Sequence, residues 1–282
     1  MVSAVHLVAD STCDISTDEA AGLGLTIVPL KVIVGDEVFA DGRDIDPATL
    51  YARMRTSSVV PRTSQPTPAE FEVVFRELGA DGAPVLCTTI SAAMSGTHSS
   101  AAAARASLPD LDIRLVDTFT VGPGHRQVVD AIVAAAAAGA DVDELERVAA
   151  AVRSTQRLVF TVESLEYLRR GGRIGGARAL LGSVLKIKPI LEVRDGTVEP
   201  LDRVRTFPRA LDRLLEELAK SAKQWSRTMA MVTHADKLDA GNEIAARAGN
   251  ITGQPVRVVD VGPVIGCHGG PGAIGISFYR SV

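Results

Sequence analysis

Hydrophobic positions follow two rhythms along this chain. Val5 to Ala9 is a short apolar run that ends in Asp10-Ser11-Thr12, and Pro84 to Ile90 and Ile113 to Asp117 have the same character. Unbroken apolar runs of this length suit strands buried on both faces, each with a polar loop at its carboxyl end. Between them the period lengthens to that of helices. Asp46-Pro47 supplies a cap and a first-turn proline, with Tyr51 and Met54 as an apolar stripe. Thr67-Pro68-Ala69-Glu70 has the form of a capping box with proline at the first helical position. Ser99 to Ser107, Gln127 to Ala138 and Asp143 to Val152 read as helices; Leu25 to Val34 reads as β-rich, turning at Gly35-Asp36 into a hairpin with Glu37 to Phe39. Strands alternating with helices predict a mainly parallel sheet.

The second half has a different pattern. Leu158 to Val162, Ile190 to Val193, Val198 to Leu201, Met229 to Thr233, Arg257 to Val261 and Ile274 to Tyr279 read as strands, and Asp195-Gly196 marks a hairpin turn. Helices are predicted at Ser164 to Arg170, Pro208 to Lys220 and Leu238 to Ala248, and Gly171 to Gly176 as a mobile glycine-rich loop. The reading is a two-domain α/β chain, residues 1–155 and 156–282, with antiparallel strands in the second domain.

Composition narrows the function. The chain has 282 residues, 46% hydrophobic but only 4% aromatic, which is enough aliphatic material for two cores and the lining of a cavity. A net charge of −4 creates no field that would attract nucleic acid. Arg169, Arg170, Arg173, Arg178, Lys186 and Lys188 do cluster, as an anionic headgroup or acidic partner would require; a solvated helix face explains such a run equally well. Cys13, Cys87 and Cys267 are too few and too scattered for a disulfide framework or a CxxC metal pair. No stretch approaches the ~20 apolar residues that span a bilayer, and no signal-peptide pattern follows Met1. The expectation is a cytoplasmic protein without stable membrane insertion.

Three polar loops could carry chemistry: Arg62 to Pro66, Ser91 to Thr97, and Gly266 to Gly272. The second joins a strand to a helix, where backbone N–H groups and the helix amino end favour an anion; Ser95 adds a hydroxyl and Gly96 permits close approach, although ordinary capping is an equal explanation. His268 lies among glycines just ahead of a buried strand and can donate to a carboxylate in either protonation state. The Ser95 stretch is not a GxSxG elbow, Cys267 and His268 are adjacent and so poorly placed to act on each other, and no second ligand accompanies His268 for a metal. The glycines around Arg173 match neither a P-loop nor a dinucleotide fingerprint. Asp10 and Asp14 read as caps and loop stabilisers rather than an acid–base pair.

Several stretches resemble the DegV family: Val8 to Asp14, Thr63-Ser64-Gln65-Pro66, Ile90 to Thr97, Val116-Asp117-Thr118, Leu165 to Ile174, Lys186 with Pro189-Ile190-Leu191, and Gly266 to Gly272. They run in order from the first strand to the last. The resemblance implies a two-domain DegV fold that binds one long-chain fatty acid, such as palmitate, stearate or oleate. The acyl chain would lie in an apolar tunnel and the carboxylate in a pocket at the domain interface. It also implies a separate partner, a FakA-like ATP-dependent fatty acid kinase that makes the acyl phosphate for phospholipid synthesis. Thr63, Ser64, Ser95, Gly96 and His268 match the family's carboxylate-holding positions, Arg173 a basic position at the pocket mouth, and Arg205 a basic position on the kinase-facing surface. No catalytic residue, metal or cofactor is expected. The rival readings are an enzyme acting on a small acyl or phosphoryl substrate at the same loops and a lipid-sensing regulatory module.

Overall fold

The computed structural model describes residues 5–56, 60–181 and 187–281. Four short apolar runs, β1 (His6–Asp10), β2 (Leu25–Val28), β6 (Val85–Thr89) and β7 (Ile113–Asp117), form a parallel sheet in the order β2-β1-β6-β7. Two further runs that could be mistaken for its members, β3 (Lys31–Val34) and β4 (Glu37–Ala40), instead form an antiparallel hairpin, joined by the short β5 (Arg62–Ser64) in a separate sheet ordered β4-β3-β5. The predicted β-rich run from Leu25 to Val34 is therefore two strands in two sheets. The break falls at Pro29-Leu30, because proline cannot donate to a continuing ladder.

The second sheet comes wholly from the later sequence: β8 (Arg157–Thr161), β9 (Lys188–Arg194), β10 (Thr197–Val204), β11 (Thr228–His234), β12 (Arg257–Asp260) and β13 (Ile274–Arg280). Its order is β10-β9-β8-β13-β11-β12, antiparallel except for the β11–β12 pair. The helices are α1 (Thr17–Gly22), α2 (Pro47–Thr56), α3 (Pro68–Leu78), α4 (Thr97–Ala106), α5 (Pro123–Ala137), α6 (Val142–Thr155), α7 (Glu166–Arg170), α8 (Phe207–Ala222), α9 (Leu238–Thr252) and α10 (Pro263–Gly269).

These elements stack in layers. Phe71, Phe75, Ala101 and Ala104 of α3 and α4 pack under one face of the parallel sheet against Val8 and Val85. Val128, Val129 and Leu145 of α5 and α6 cover the other face against Leu7, Ala9 and Leu86. The backs of α5 and α6 meet the second sheet, where Gln127 exchanges side-chain and backbone hydrogen bonds with Ser277 at 2.7 and 3.2 Å. Leu211, Leu214 and Leu218 of α8, with Ile244 and Ala248 of α9, then close that sheet's outer face over Val232 and Ile276. Both sheets are thus buried between helices, which is why their strands read as nearly continuous apolar runs.

A fourth core joins the halves. It unites Leu30 and Val32, Leu50 and Tyr51 of α2, Leu168 of α7, and Val264 and Cys267 of α10. The predicted mobile loop after α7 belongs to this core: Ile174 and Ala177 are buried, and a 3-10 turn over Gly175–Leu180 packs on β10. Two apolar side chains inside the glycine-rich stretch are enough to pull it out of solvent.

Candidate functional site

The parallel sheet changes direction of growth between β1 and β6, and loops at the carboxyl ends of such neighbours diverge and leave a crevice. Here the crevice holds Asp10 at the end of β1 and the Ser91–Ser95 loop after β6. Asp10 is fully buried and accepts three hydrogen bonds: from Thr12 N at 2.9 Å, Thr12 Oγ1 at 2.6 Å and Ile90 N at 2.6 Å. Asp117 at the end of β7 accepts from Ala92 N and Phe119 N. The second half holds the same loop from the opposite side. Ser91 Oγ donates to Gly196 O in the β9–β10 turn at 2.8 Å, and Arg173 Nε donates to Met94 O at 3.0 Å.

Beneath this loop lies a cavity of about 110 Å³, partly open to solvent. Its walls come from both halves: Leu30, Ile90, Val121 and Pro123 on one side, Leu158, Phe160, Val193 and Ile274 on the other. The lining is aliphatic apart from Phe160 and a few polar side chains, among them Thr63, Ser95, Arg173 and His268. Gly275, near the start of β13, lies against Phe160, Thr233 and Leu158, and a Cβ there would meet that of Phe160 at 3.1 Å.

The polar side chains form one group. His268 Nε2 lies 2.8 Å from Thr63 Oγ1. Burial, and secondarily the positive charge of Arg173, lower the His268 pKa to about 4, so the ring is neutral at pH 7. Its Nδ1 is buried without a hydrogen-bond partner among the described residues and faces Gly171, where any side chain would overlap the ring. Ser95 Oγ bonds Thr97 Oγ1 at 2.8 Å and accepts weakly from Thr97 N at the first residue of α4, whose N-cap position is Gly96. Arg173, half-buried, donates to Met94 O and to Gly171 O at 2.7 Å, and no carboxylate among the described residues forms an ion pair with it.

The structure therefore brings Thr63, Ser95, Arg173 and His268 together across the two halves. Ser64 does not join them. It alternates to the exposed face of β5 and bonds Gln65 O. Gly96 begins α4 behind the loop, and the side chain of Gln65 packs over it. Arg205 is exposed just after β10, away from the cavity lining. Lys186 lies outside the described residues. Within the basic cluster, Arg169 and Arg170 pair with Glu166, and Lys188 with Glu163.

His268 sits on a helix and not in the expected glycine loop. α10 is short and begins at Gly262, which has no capping side chain of its own. Asp41 from the other half supplies it, accepting from Val264 N at 3.3 Å and from Ser11 Oγ at 2.7 Å. Burial pushes the Asp41 carboxyl up to about 7 despite those bonds. Asp14 lies beside Gly262, and both its oxygens are buried without a well-formed hydrogen bond among the described residues. Burial, then the nearby Asp41 charge, raises its pKa well above the ordinary value, with the Gly262 amide opposing. Sequence reading missed Asp41 because nothing local links it to residue 264. Gly266 explains another part of the motif: a Cβ there would meet Tyr51 Oη at 2.6 Å, so glycine allows α10 to lie directly on α2.

Thr63 and His268 are in hydrogen-bond contact, but among the described residues no third group orients the imidazole, whose Nδ1 has no partner. Ser95 bonds Thr97, and burial holds the Cys267 thiol far above its ordinary pKa. Among the described residues no cluster of metal-ligating side chains occurs.

The DegV family model, described as an uncharacterised protein family, matches residues 4–281. The chain belongs to the DegV family. A DegV domain-containing protein of Streptomyces coelicolor is 36% identical, aligned over 96% of this chain and 97% of its own length. A DegV family structure from Thermus thermophilus, described by its fatty acid binding, shares 33% identity and a TM-score of 0.90, covering 98% of this chain and 99% of its own. A stearic acid-binding protein from Eubacterium ventriosum has 28% identity and a TM-score of 0.90, covering 98% of each chain. The DegV fold accounts for the pairing of a parallel first sheet with a mostly antiparallel second one. No described helix is long and apolar enough to cross a membrane.

Proposed function

We propose that this DegV family protein binds one long-chain fatty acid, with the acyl chain in the aliphatic cavity and the carboxylate against Thr63, Ser95, Arg173 and His268. The observation that carries this reading is the Arg173 guanidinium: it is half-buried at the edge of an apolar cavity and has no carboxylate partner among the described residues. A half-buried guanidinium that meets only backbone carbonyls attracts an anion, and an amphiphile with an anionic head supplies one while its tail lies along the apolar lining. With the neutral imidazole donating from Nε2 to Thr63 Oγ1, the Thr63 hydroxyl proton is free for the carboxylate, and the Ser95 hydroxyl adds a second donor. The tail adds ~0.8 kcal/mol per CH₂, so a C16 chain contributes on the order of 10 kcal/mol before association costs.

The role that follows is carriage rather than catalysis. The carboxylate end faces loops at the junction of the halves, and Arg205 offers an exposed cation to a partner, a FakA-like kinase that would convert the acid to its acyl phosphate for phospholipid synthesis. Three free, buried cysteines accord with work in a reducing, cytoplasmic setting.

Native mass spectrometry of the purified protein, followed by organic extraction and lipid analysis, tests the reading. One fatty acid per chain is expected; protein without lipid that also fails to take up added palmitate overturns it. Ser95→Ala and His268→Ala should each weaken palmitate binding about tenfold, the loss of roughly one charge-assisted hydrogen bond, at unchanged circular dichroism.

A further inference from the structure

Behind the cavity wall, a chain of polar groups runs through the core of the parallel half. Its members are Asp10, Thr12, Thr88 and His125, all fully or almost fully buried. Thr12 Oγ1 lies 2.6 Å from Asp10 Oδ1 and 3.1 Å from His125 Nδ1, and His125 Nε2 lies 3.0 Å from Thr88 Oγ1. A carboxylate only accepts, so the single hydroxyl proton of Thr12 goes to Asp10. Thr12 Oγ1 then accepts from His125 Nδ1–H. Burial lowers the His125 pKa and keeps the ring neutral, so Nε2 has no proton and accepts from the Thr88 hydroxyl. Every hydrogen-bonding group in this series is matched, which sets one tautomer and one direction.

The network's other end is what connects it to the site. The second oxygen of Asp10 accepts from Ile90 N at 2.6 Å, at the root of the loop that carries Ser95. Ile90 itself lines the cavity, as do Gly122 and Pro123 at the start of α5, the helix that carries His125. Asp10 therefore links the end of β1, the Ser95 loop and, through Thr12 and His125, the start of α5. These are three separate segments of the cavity wall. Asp117 and Ser91 hold the middle of the loop, but among the described residues Asp10 is the side chain bonded at its root.

We propose that Asp10 is a positioning residue: through Ile90 N on one side and Thr12–His125 on the other, it fixes the Ser95 loop in the geometry that receives the ligand's head. The role rests on the fatty-acid reading for its consequence but not for its structure. Two readouts separate the two. In ligand-free protein, Asp10→Asn should speed hydrogen exchange at the amides of residues 90–95, because an amide group cannot accept from both sides. In binding, palmitate affinity should fall about tenfold, equivalent to about 1.4 kcal/mol, while methyl palmitate, which has no anionic head, stays within about twofold. A general loss of fold would weaken both ligands alike.

Thr12 provides the control that survives if Asp10→Asn does not fold. Thr12→Val should shift exchange and the acid-to-ester ratio in the same direction, and Thr12→Ser, which restores the hydroxyl, should bring both back. Unchanged exchange at residues 90–95, or equal losses for acid and ester, overturns the proposal. If the wild-type protein binds neither lipid, the fatty-acid reading fails instead, and the exchange data alone decide the positioning role.

Discussion

Asp10 and Asp14 lie four residues apart, both with buried carboxyl oxygens, and their surroundings differ completely. Asp10 has three donors at 2.6 to 2.9 Å. Asp14, which takes a left-handed backbone conformation at φ 55°, has no well-formed hydrogen bond to either oxygen among the described residues, and Asp41 lies near enough to repel it. Burial alone says little about what a charged group does for a fold; the number of donors aimed at it decides the sign. The Asp10 environment holds one half of the molecule together internally. The Asp14–Asp41 environment lies where α10 of one half meets the other, and it gains less from its charges.

The largest expected effect is at the satisfied site. Asp10→Ala would leave three buried donors without an acceptor, at about 1–3 kcal/mol each, so a loss of about 5 kcal/mol in urea unfolding is expected. A loss below about 1 kcal/mol would erase the contrast between the two sites.

Next comes the pH dependence from Asp41. Its pKa is pushed up to about 7 in the folded protein from an ordinary 3.8, so the folded state holds the proton more tightly. Its contribution is therefore fully present below about pH 4 and lost as pH rises through about 7, by up to about 4 kcal/mol at ~1.4 kcal/mol per unit. His268 works in the opposite direction: with its pKa lowered to about 4, stability is lost as pH falls from 6.5 to 4. The two slopes overlap, so the measurement is a difference. Subtracting the Asp41→Asn profile from the wild-type one between pH 4 and 8 should give a falling curve, and a flat difference would remove Asp41 from the comparison.

The smallest effect belongs to Asp14. Asn occupies the left-handed region as readily as Asp, so Asp14→Asn removes the charge without backbone strain. At pH 8 it should raise stability by about 1 kcal/mol. A loss of similar size would show that the Gly262 amide is a true partner and that α10 is capped from the other half by two carboxylates, not one.

Much of this was legible from residue patterns. The parallel strands β1, β6 and β7, the capping box of α3 and the antiparallel character of the second half all follow from local periodicity and cap chemistry, and the structure bears them out. The errors also have local causes. Leu25 to Val34 looked continuous because the strands on both sides of Pro29 are apolar. α10 looked like a loop because Gly266, Gly269 and Gly270 are poor helix formers, yet they are there for close packing on α2 and for a turn. Within the site, Ser64 and Thr63 are neighbours in sequence, but strand alternation places only Thr63 in the cavity.

By itself the sequence determined which segments become strands and helices, that both sheets would be covered, and that three loops would carry hydroxyls, glycines and one histidine. Those properties depend on burial periodicity and side-chain chemistry, which neighbouring residues carry. Tertiary structure alone decided that His268 would meet Thr63 across 205 positions, that Asp41 would cap a helix 223 positions away, and that Arg173 would stand at an apolar cavity with no carboxylate partner among the described residues. The physical reason is that such contacts depend on where packed layers place their edges. Each residue's own neighbourhood in the chain contains no record of which edge it will face.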